Sequence, residues 1–113
     1  MKKPQYVYKA HIDEVIDGDT FDVTVDLGFQ ITTYQRLRLV DIDTPEVRGP
    51  ERPKGLKVKE YVKHLIEGKD VTIQSFKLGK FGRYTAEVFL EGDEKLSEHL
   101  LAGGMAVKSD YEG

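Results

Sequence analysis

The chain contains no cysteine. That excludes disulfides, zinc–thiolate centres and thiol nucleophiles, and it leaves the redox compartment open. A basic excess is also missing: 17 Lys and Arg stand against 20 Asp and Glu, a net charge of −3. Nucleic-acid binders usually show the opposite balance. A site that holds a cation must itself be acidic, however, so the distribution of charge matters more than its sum. Long apolar runs are absent. The start, MKKPQYVYKAHIDEV, has Lys2 and Lys3 but no apolar segment of signal-peptide type, and nothing later is long enough to span a membrane. The chain as it stands reads as cytoplasmic, or as secreted if a leader has been removed. Repeats, low-complexity tracts and linkers are missing too. At 113 residues the expectation is a single domain over residues 1–113, monomeric, with a polar tail from Lys108 to Gly113 that frays.

What is present centres on one stretch, Arg36-Leu37-Arg38-Leu39-Val40-Asp41-Ile42-Asp43-Thr44-Pro45-Glu46. Leu37 and Leu39 share one face of a strand, so Arg36 and Arg38 share the other. Pro45 forces Thr44 into an extended conformation and ends the element. The strand thus delivers Arg38 beside an acidic turn with Asp43 and Glu46. A guanidinium that grips phosphate, next to carboxylates that hold a hard cation, points to phosphodiester chemistry. Taken alone, the stretch reads equally well as a surface ion pair on an edge strand.

The rest of the chain supplies a small barrel. Residues 7–16 alternate as a first strand, and Phe21, Val23, Val25 and Leu27 as a second, joined by the turn Asp17-Gly18-Asp19-Thr20. Residues 30–40 make a third. Residues 47–55 read as a loop from their Gly and Pro content. Val58, Tyr61, Val62, Leu65 and Ile66 lie on one helical face, predicting a helix over about 56–67 that Gly68 terminates. Its opposite face, with Lys57, Glu60, Lys63, His64 and Glu67, reads as solvated. A fourth strand is expected over about 70–76 and a fifth over Tyr84–Leu90, with the basic loop Lys77–Arg83 between them. Asp93 is the expected N-cap of a short helix containing Leu96, Leu100 and Leu101. Met105–Val107 returns as a short extended piece. The fold class is therefore mainly β with helices (α+β). It is a five-stranded OB-type barrel with a helix between its third and fourth strands and a second helix after its fifth.

Individually the motifs are weak. The Asp17–Thr20 turn is not an EF-hand loop, since Asp22 stands where that loop needs glycine. Lys80-Phe81-Gly82-Arg83 alone reads as a solvated hairpin tip. His11, His64 and His99 lack paired metal-ligand spacing and read as non-catalytic, His11 with a minor substrate contact as the alternative. In combination, two acidic turns and two arginines at the ends of strands supply the parts of a phosphodiesterase.

These residues carry a resemblance. The segments Val15–Thr20, Arg38–Glu46, Lys80–Arg83 and Leu96–Ala106 resemble, in order and spacing, those of the staphylococcal (micrococcal) nuclease family. The resemblance covers roughly residues 8–107. It implies the OB barrel and hydrolysis of DNA and RNA dependent on one Ca²⁺, with Mg²⁺ or Mn²⁺ as possible substitutes, cleaving the 5′ P–O bond to leave 3′-phosphate ends. Carried over residue by residue, Asp19 and Asp43 look like carboxylate ligands and the Thr44 carbonyl like a third, with Asp17 in support. Arg38 and Arg83 look like the phosphate-binding arginines. Glu46 looks like the residue that orients or deprotonates the attacking water. Lys80, Phe81 and Tyr111 fall at substrate-contacting positions.

Three features depart from the family pattern. Phe81 stands where Tyr is common, and Ser97 where Asn is usual. The chain also ends soon after Val107, where family enzymes commonly continue through tyrosines into a third helix. A non-catalytic nucleic-acid- or protein-binding module on the same barrel is the competing expectation. Such modules typically lose the acids or the arginines, and this chain keeps them.

Overall fold

The structure, a computed structural model, describes residues 6–78 and 84–109. Three strands open the chain: β1 (Val7–Asp17), β2 (Thr20–Asp26) and β3 (Thr32–Leu39). The two-residue strand β4 (Ile42–Asp43) follows, then helix α1 (Arg52–Ile66), β5 (Asp70–Leu78), β6 (Tyr84–Phe89), helix α2 (Leu96–Ala102) and the short strand β7 (Val107–Lys108). Five strands close a barrel in the order β1-β2-β3-β6-β5, and β4 and β7 pair separately. The expected barrel and the places of both helices are therefore observed.

Strict alternation drives β2, whose Phe21, Val23 and Val25 fill the interior. β1 must serve two partners, pairing antiparallel with β2 along its length and with β5 over Val7–His11. Register shifts between Ile12 and Glu14 and between Val15 and Asp17 bend it around the barrel. Closure comes from a short parallel pairing of β3 with β6, Leu37 to Tyr84 through Leu39 to Ala86. The core contains Ile12, Val15, Phe21, Leu39, Ile73 and Val88 from the strands, and Val62, Ile66, Leu96 and Leu100 from the helices. No helix among the described residues is long and apolar enough to cross a membrane.

Helix α1 begins at Arg52, four residues before the predicted start, with Pro in its first turn. Proline is tolerated there because that N–H has no helical partner. Its buried face is Gly55, Val58, Val62 and Ile66. Tyr61, expected on that face, is 40% exposed. Gly68 terminates the helix as expected, with φ at +77° and its N–H bonded to the Ile12 carbonyl at 2.7 Å.

Asp93 does not cap α2. It sits in a preceding 3₁₀ turn with φ +64°, while Lys95 occupies the N-cap position without a side-chain bond. The cap comes from the barrel instead. Glu87 of β6 accepts hydrogen bonds from the Ser97 N–H (3.2 Å), the Ser97 hydroxyl and the Val88 N–H (3.1 Å). Glu87 is 4% exposed, and burial pushes its carboxyl above the ordinary range despite those bonds. Ser97, the residue that departs from the expected pattern, thus has a carboxylate partner.

Candidate active site

Two turns and one strand build the site. The β2–β3 register sets Arg38 opposite Thr20, at the mouth of the Asp17–Thr20 turn. The Leu39 N–H donates to the Asp19 carbonyl at 2.7 Å, tying strand to turn. Beyond β3 the chain reverses at Asp41, whose φ of +64° is one that aspartate tolerates better than most residues. β4 then pairs with β7, Ile42 to Lys108 and Asp43 to Val107, and the Ser109 N–H donates to the Asp41 carbonyl at 3.0 Å. The strand that leads into the second acidic turn is thereby tied to β7.

Arg38 is the hub. Its Nη2 donates to the Ile42 carbonyl at 3.0 Å, contacts Asp43 Oδ1 and lies 3.8 Å from Asp19 Oδ2. That same Asp19 oxygen accepts the Thr44 N–H at 3.2 Å, and Asp19 Oδ1 takes the Thr20 hydroxyl at 3.1 Å. The Arg38 and Asp19 side chains are mostly buried, and Asp43 is more open at 38% exposure. Asp17 is half-buried at the head of the first turn.

Two glycines let helix α1 pack close to this cluster. A Cβ on Gly18 would lie 2.7 Å from Val58 Cγ1 and 2.9 Å from Thr44 Oγ1. A Cβ on Gly55 would lie 2.0 Å from the Glu46 carbonyl oxygen. Gly55 thus seats the helix on the backbone of Glu46, whose own residue is exposed. Sequence reasoning placed Gly55 in a loop and missed this part. A glycine three residues ahead of Val58 on the same helical face was the available signal.

The structure therefore brings together Asp19, Arg38, Asp43 and Thr44, with Asp17 and Glu46 on the same two turns. Lys80, Phe81, Arg83 and Tyr111 lie outside the described residues. The histidines sit elsewhere. His11 pairs with Asp70 at 2.8 Å, and His64 is exposed on α1. His99 shares hydrogen bonds with the Tyr61 hydroxyl (2.6 Å) and Glu94 (3.1 Å).

As a cation site the donor set is of the right type and sparse. Carboxylates from two separate turns converge on one guanidinium nitrogen, an arrangement that already holds positive charge. Among the described residues no group of three or more His, Cys, Asp or Glu side chains converges. Ca²⁺ takes 6–8 oxygens, so two carboxylates and a carbonyl would leave most of its shell to water.

A closed five-stranded barrel carrying acidic turns and an arginine at one end is the OB class of fold. The model of the staphylococcal nuclease homologue family matches residues 36–113, and the chain belongs to that family. It is 36% identical over 102 residues to a thermonuclease of Staphylococcus hyicus, covering 86% of this chain and 57% of that protein. It is 29% identical over 97 residues to an uncharacterized endonuclease of Escherichia coli, covering 86% of this chain and 58% of that protein. The counterpart in Escherichia coli O157:H7 matches with the same figures. The chain thus spans a little under three-fifths of the length of these relatives.

Proposed function

We propose that this chain is a metal-dependent nuclease that hydrolyses phosphodiester bonds of DNA and RNA. The observation that carries the reading is the convergence of Asp19 and Asp43, from separate turns, on Arg38. One arginine between two carboxylates leaves net negative charge. Such a site suits a hard cation, and the cation and arginine together suit a phosphate. Asp19, Asp43 and the Thr44 carbonyl would hold Ca²⁺, with Mg²⁺ or Mn²⁺ as substitutes. When bound, the ion supplies charge that polarises the phosphoryl oxygens.

The chain's own residues carry the remaining roles. Arg38 donates to a phosphate oxygen and stabilises the charge that grows there in the transition state. Arg83 is assigned to the same phosphate as a second donor. Glu46 receives the proton of the attacking water. The water oxygen forms the new bond to phosphorus as the P–O5′ bond breaks, and the departing O5′ takes a proton from a solvent water, which leaves a 3′-phosphate and a 5′-hydroxyl. Lys80, Phe81 and Tyr111 are assigned to substrate contacts, and Asp17 to support of its turn.

The test is cleavage of single-stranded DNA in Ca²⁺, in EDTA and by the Glu46→Gln variant. Cutting that requires the ion, and that the variant loses by about a hundredfold or more, supports the reading. A folded protein that cuts in no metal would make it a binding module. Near-native turnover by Glu46→Gln would remove Glu46 from its role.

A further inference from the structure

Helix α1 meets the chain around the acidic turns at both of its ends, and at the second end the contact is made by a side chain. β1 pairs with β5 over Val7–His11, and β5 begins at Asp70. From Ile12 onward that edge of β1 faces the junction between α1 and β5. The Ile12 N–H donates to the Lys69 carbonyl at 3.0 Å, and the Ile12 carbonyl accepts the Gly68 N–H at 2.7 Å. The register shift between Ile12 and Glu14 then turns the strand, so that Ile12 and Val15, three residues apart, are both buried in the core. Val15 returns to that edge beyond the end of β5, and its N–H donates to Glu67 Oε2 at 2.9 Å. The Glu67 carboxylate thus continues a ladder that β5 does not reach.

Local energetics do not explain this residue. Glu67 is the C-cap of α1, where a carboxylate meets the negative end of the helix dipole. Periodicity places it on the solvated face, yet its side chain is only 26% exposed. Its other oxygen, Oε1, lies 3.7 Å from Lys63 Nζ, one turn back on the helix. That contact is long and the lysine is half open to solvent, so it accounts for little. What the carboxylate gains is the Val15 N–H, a charge-assisted bond to the backbone in a part-buried setting.

The position of that bond gives it a consequence for the site. β1 ends two residues past Val15, at Asp17, where the first acidic turn begins. The two register shifts between Ile12 and Asp17 leave this end of β1 without a continuous ladder to β2. Glu67 fixes it between the two shifts. Asp19 follows in the turn, where its Oδ2 takes the Thr44 N–H and stands 3.8 Å from Arg38. At its other end the same helix seats on the Glu46 carbonyl through Gly55, and between the two Val58 packs against Gly18. From Gly55 to Glu67 the helix spans about 18 Å. It acts as a beam between the Glu46 turn and the strand that leads to Asp19.

We propose that Glu67 is a positioning residue: by holding the Val15 N–H it sets the Asp17–Thr20 turn, and with it the Asp19 carboxylate, in register with Asp43 and Thr44 for a cation. It touches neither substrate nor ion. The inference rests on the nuclease reading for what Asp19 binds, and stands apart from it for how Asp19 is held.

The test uses the whole chain and three variants. Glu67→Met keeps the stem and removes the acceptor, Glu67→Gln keeps an acceptor of the same reach, and Lys63→Ala removes the ion pair alone. Amide hydrogen exchange is measured first, without metal. In Glu67→Met the Leu39 and Thr44 N–H groups, both bonded to Asp19, should exchange about tenfold faster relative to the Val25 and Ile73 amides, which lie away from the turn. A loss of stability spread over the whole fold would move all four equally. Calorimetry should show Glu67→Met binding Ca²⁺ about tenfold more weakly. In cleavage of single-stranded DNA it should need about tenfold more Ca²⁺ for half its maximal rate, with KM for the DNA unchanged at saturating ion. Glu67→Gln should lie nearer the parent than Glu67→Met throughout, and Lys63→Ala should match the parent. Equal acceleration of all four amides, a Gln variant as impaired as the Met variant, an equal loss in Lys63→Ala, or unchanged Ca²⁺ affinity in Glu67→Met would each overturn the proposal. If no form of the protein binds Ca²⁺ or cuts DNA, the nuclease reading falls, and exchange at Leu39 and Thr44 still decides whether Glu67 sets the Asp19 turn.

Discussion

Arg36 and Arg38 sit two residues apart on one face of one strand, and they inhabit opposite electrostatic settings. Arg36 meets a single buried carboxylate in a closed, two-bond pair that sums to zero charge. Arg38 stands between two carboxylates, so its cluster keeps a net negative charge. The balanced pair is a finished structure, and adding an ion to it would gain nothing. The unbalanced cluster keeps a net charge, and that charge is what the proposed cation would use. Identical side chains on one strand thus sit in different charge settings because of what β2 and the two turns place beside them.

Substitution should separate the two. Arg38→Ala is expected to lower kcat by about a hundredfold or more, because it removes a donor to the phosphate. Its melting temperature should fall too, since Asp19 is left mostly buried beside Asp43 without its counter-charge, so the loss of rate is what marks it out. Asp22→Asn is expected to lower stability by about 1–2 kcal/mol through loss of charged hydrogen bonds to Arg36. Its effect should show in denaturant melts. If Arg38→Ala were the less stable of the two while still cutting, the comparison would be inverted.

Much of this contrast was legible in the sequence. β2 and β3 alternate cleanly, so Arg38 could be assigned a face and a neighbouring turn before any coordinates. Asp19, Asp43 and Thr44 were grouped by the family resemblance, and in the structure Arg38 and the Thr44 N–H link them. The start of α1 was not legible, because Pro53 and Gly55 carry loop character locally and Gly55 earns its place only through a tertiary contact with Glu46. Glu87 and Asp22 were not legible either. Each occupies a position that alternation marks as outward, and only the helix packed over one and the arginine and tyrosine beside the other explain their burial.

The site's dependence on the helix can be probed at that contact. Gly55→Ala places a methyl 2.0 Å from the Glu46 carbonyl, so the helix or the acidic turn must move. Overpacking of this kind typically costs about 1–3 kcal/mol. A shift of about 1 Å in a catalytic group can cost about a hundredfold in rate. The expected outcome is a folded variant with lower melting temperature and lower kcat than the parent. A variant with parent-like kcat would mean that Glu46 does not depend on the helix for its position.

The smallest expected effect compares Asp22 with the other buried carboxylate, Glu87, and the signs differ. Asp22 has its folded pKa lowered, chiefly by the Arg36 hydrogen bonds. Its contribution is present above the ordinary Asp value of about 3.9 and is lost as pH falls through the lowered folded value. Glu87 has its folded pKa raised, chiefly by burial. The folded state therefore binds more protons than the unfolded one above the ordinary Glu value of about 4.3, and stability falls as pH rises through that window. Glu87→Gln removes the charge and keeps the geometry: its oxygen accepts the Ser97 and Val88 N–H groups and its amide donates to the Ser97 hydroxyl. It should melt slightly higher than the parent at neutral pH and equal to it near pH ~4, while Asp22→Asn should melt lower at neutral pH and converge with the parent only in stronger acid. Melts across that range check both signs at once. A Glu87→Gln variant less stable than its parent at neutral pH would mean that charged hydrogen bonds to Ser97 outweigh the cost of burying the carboxylate, and Glu87 would then belong with Asp22 rather than opposite it.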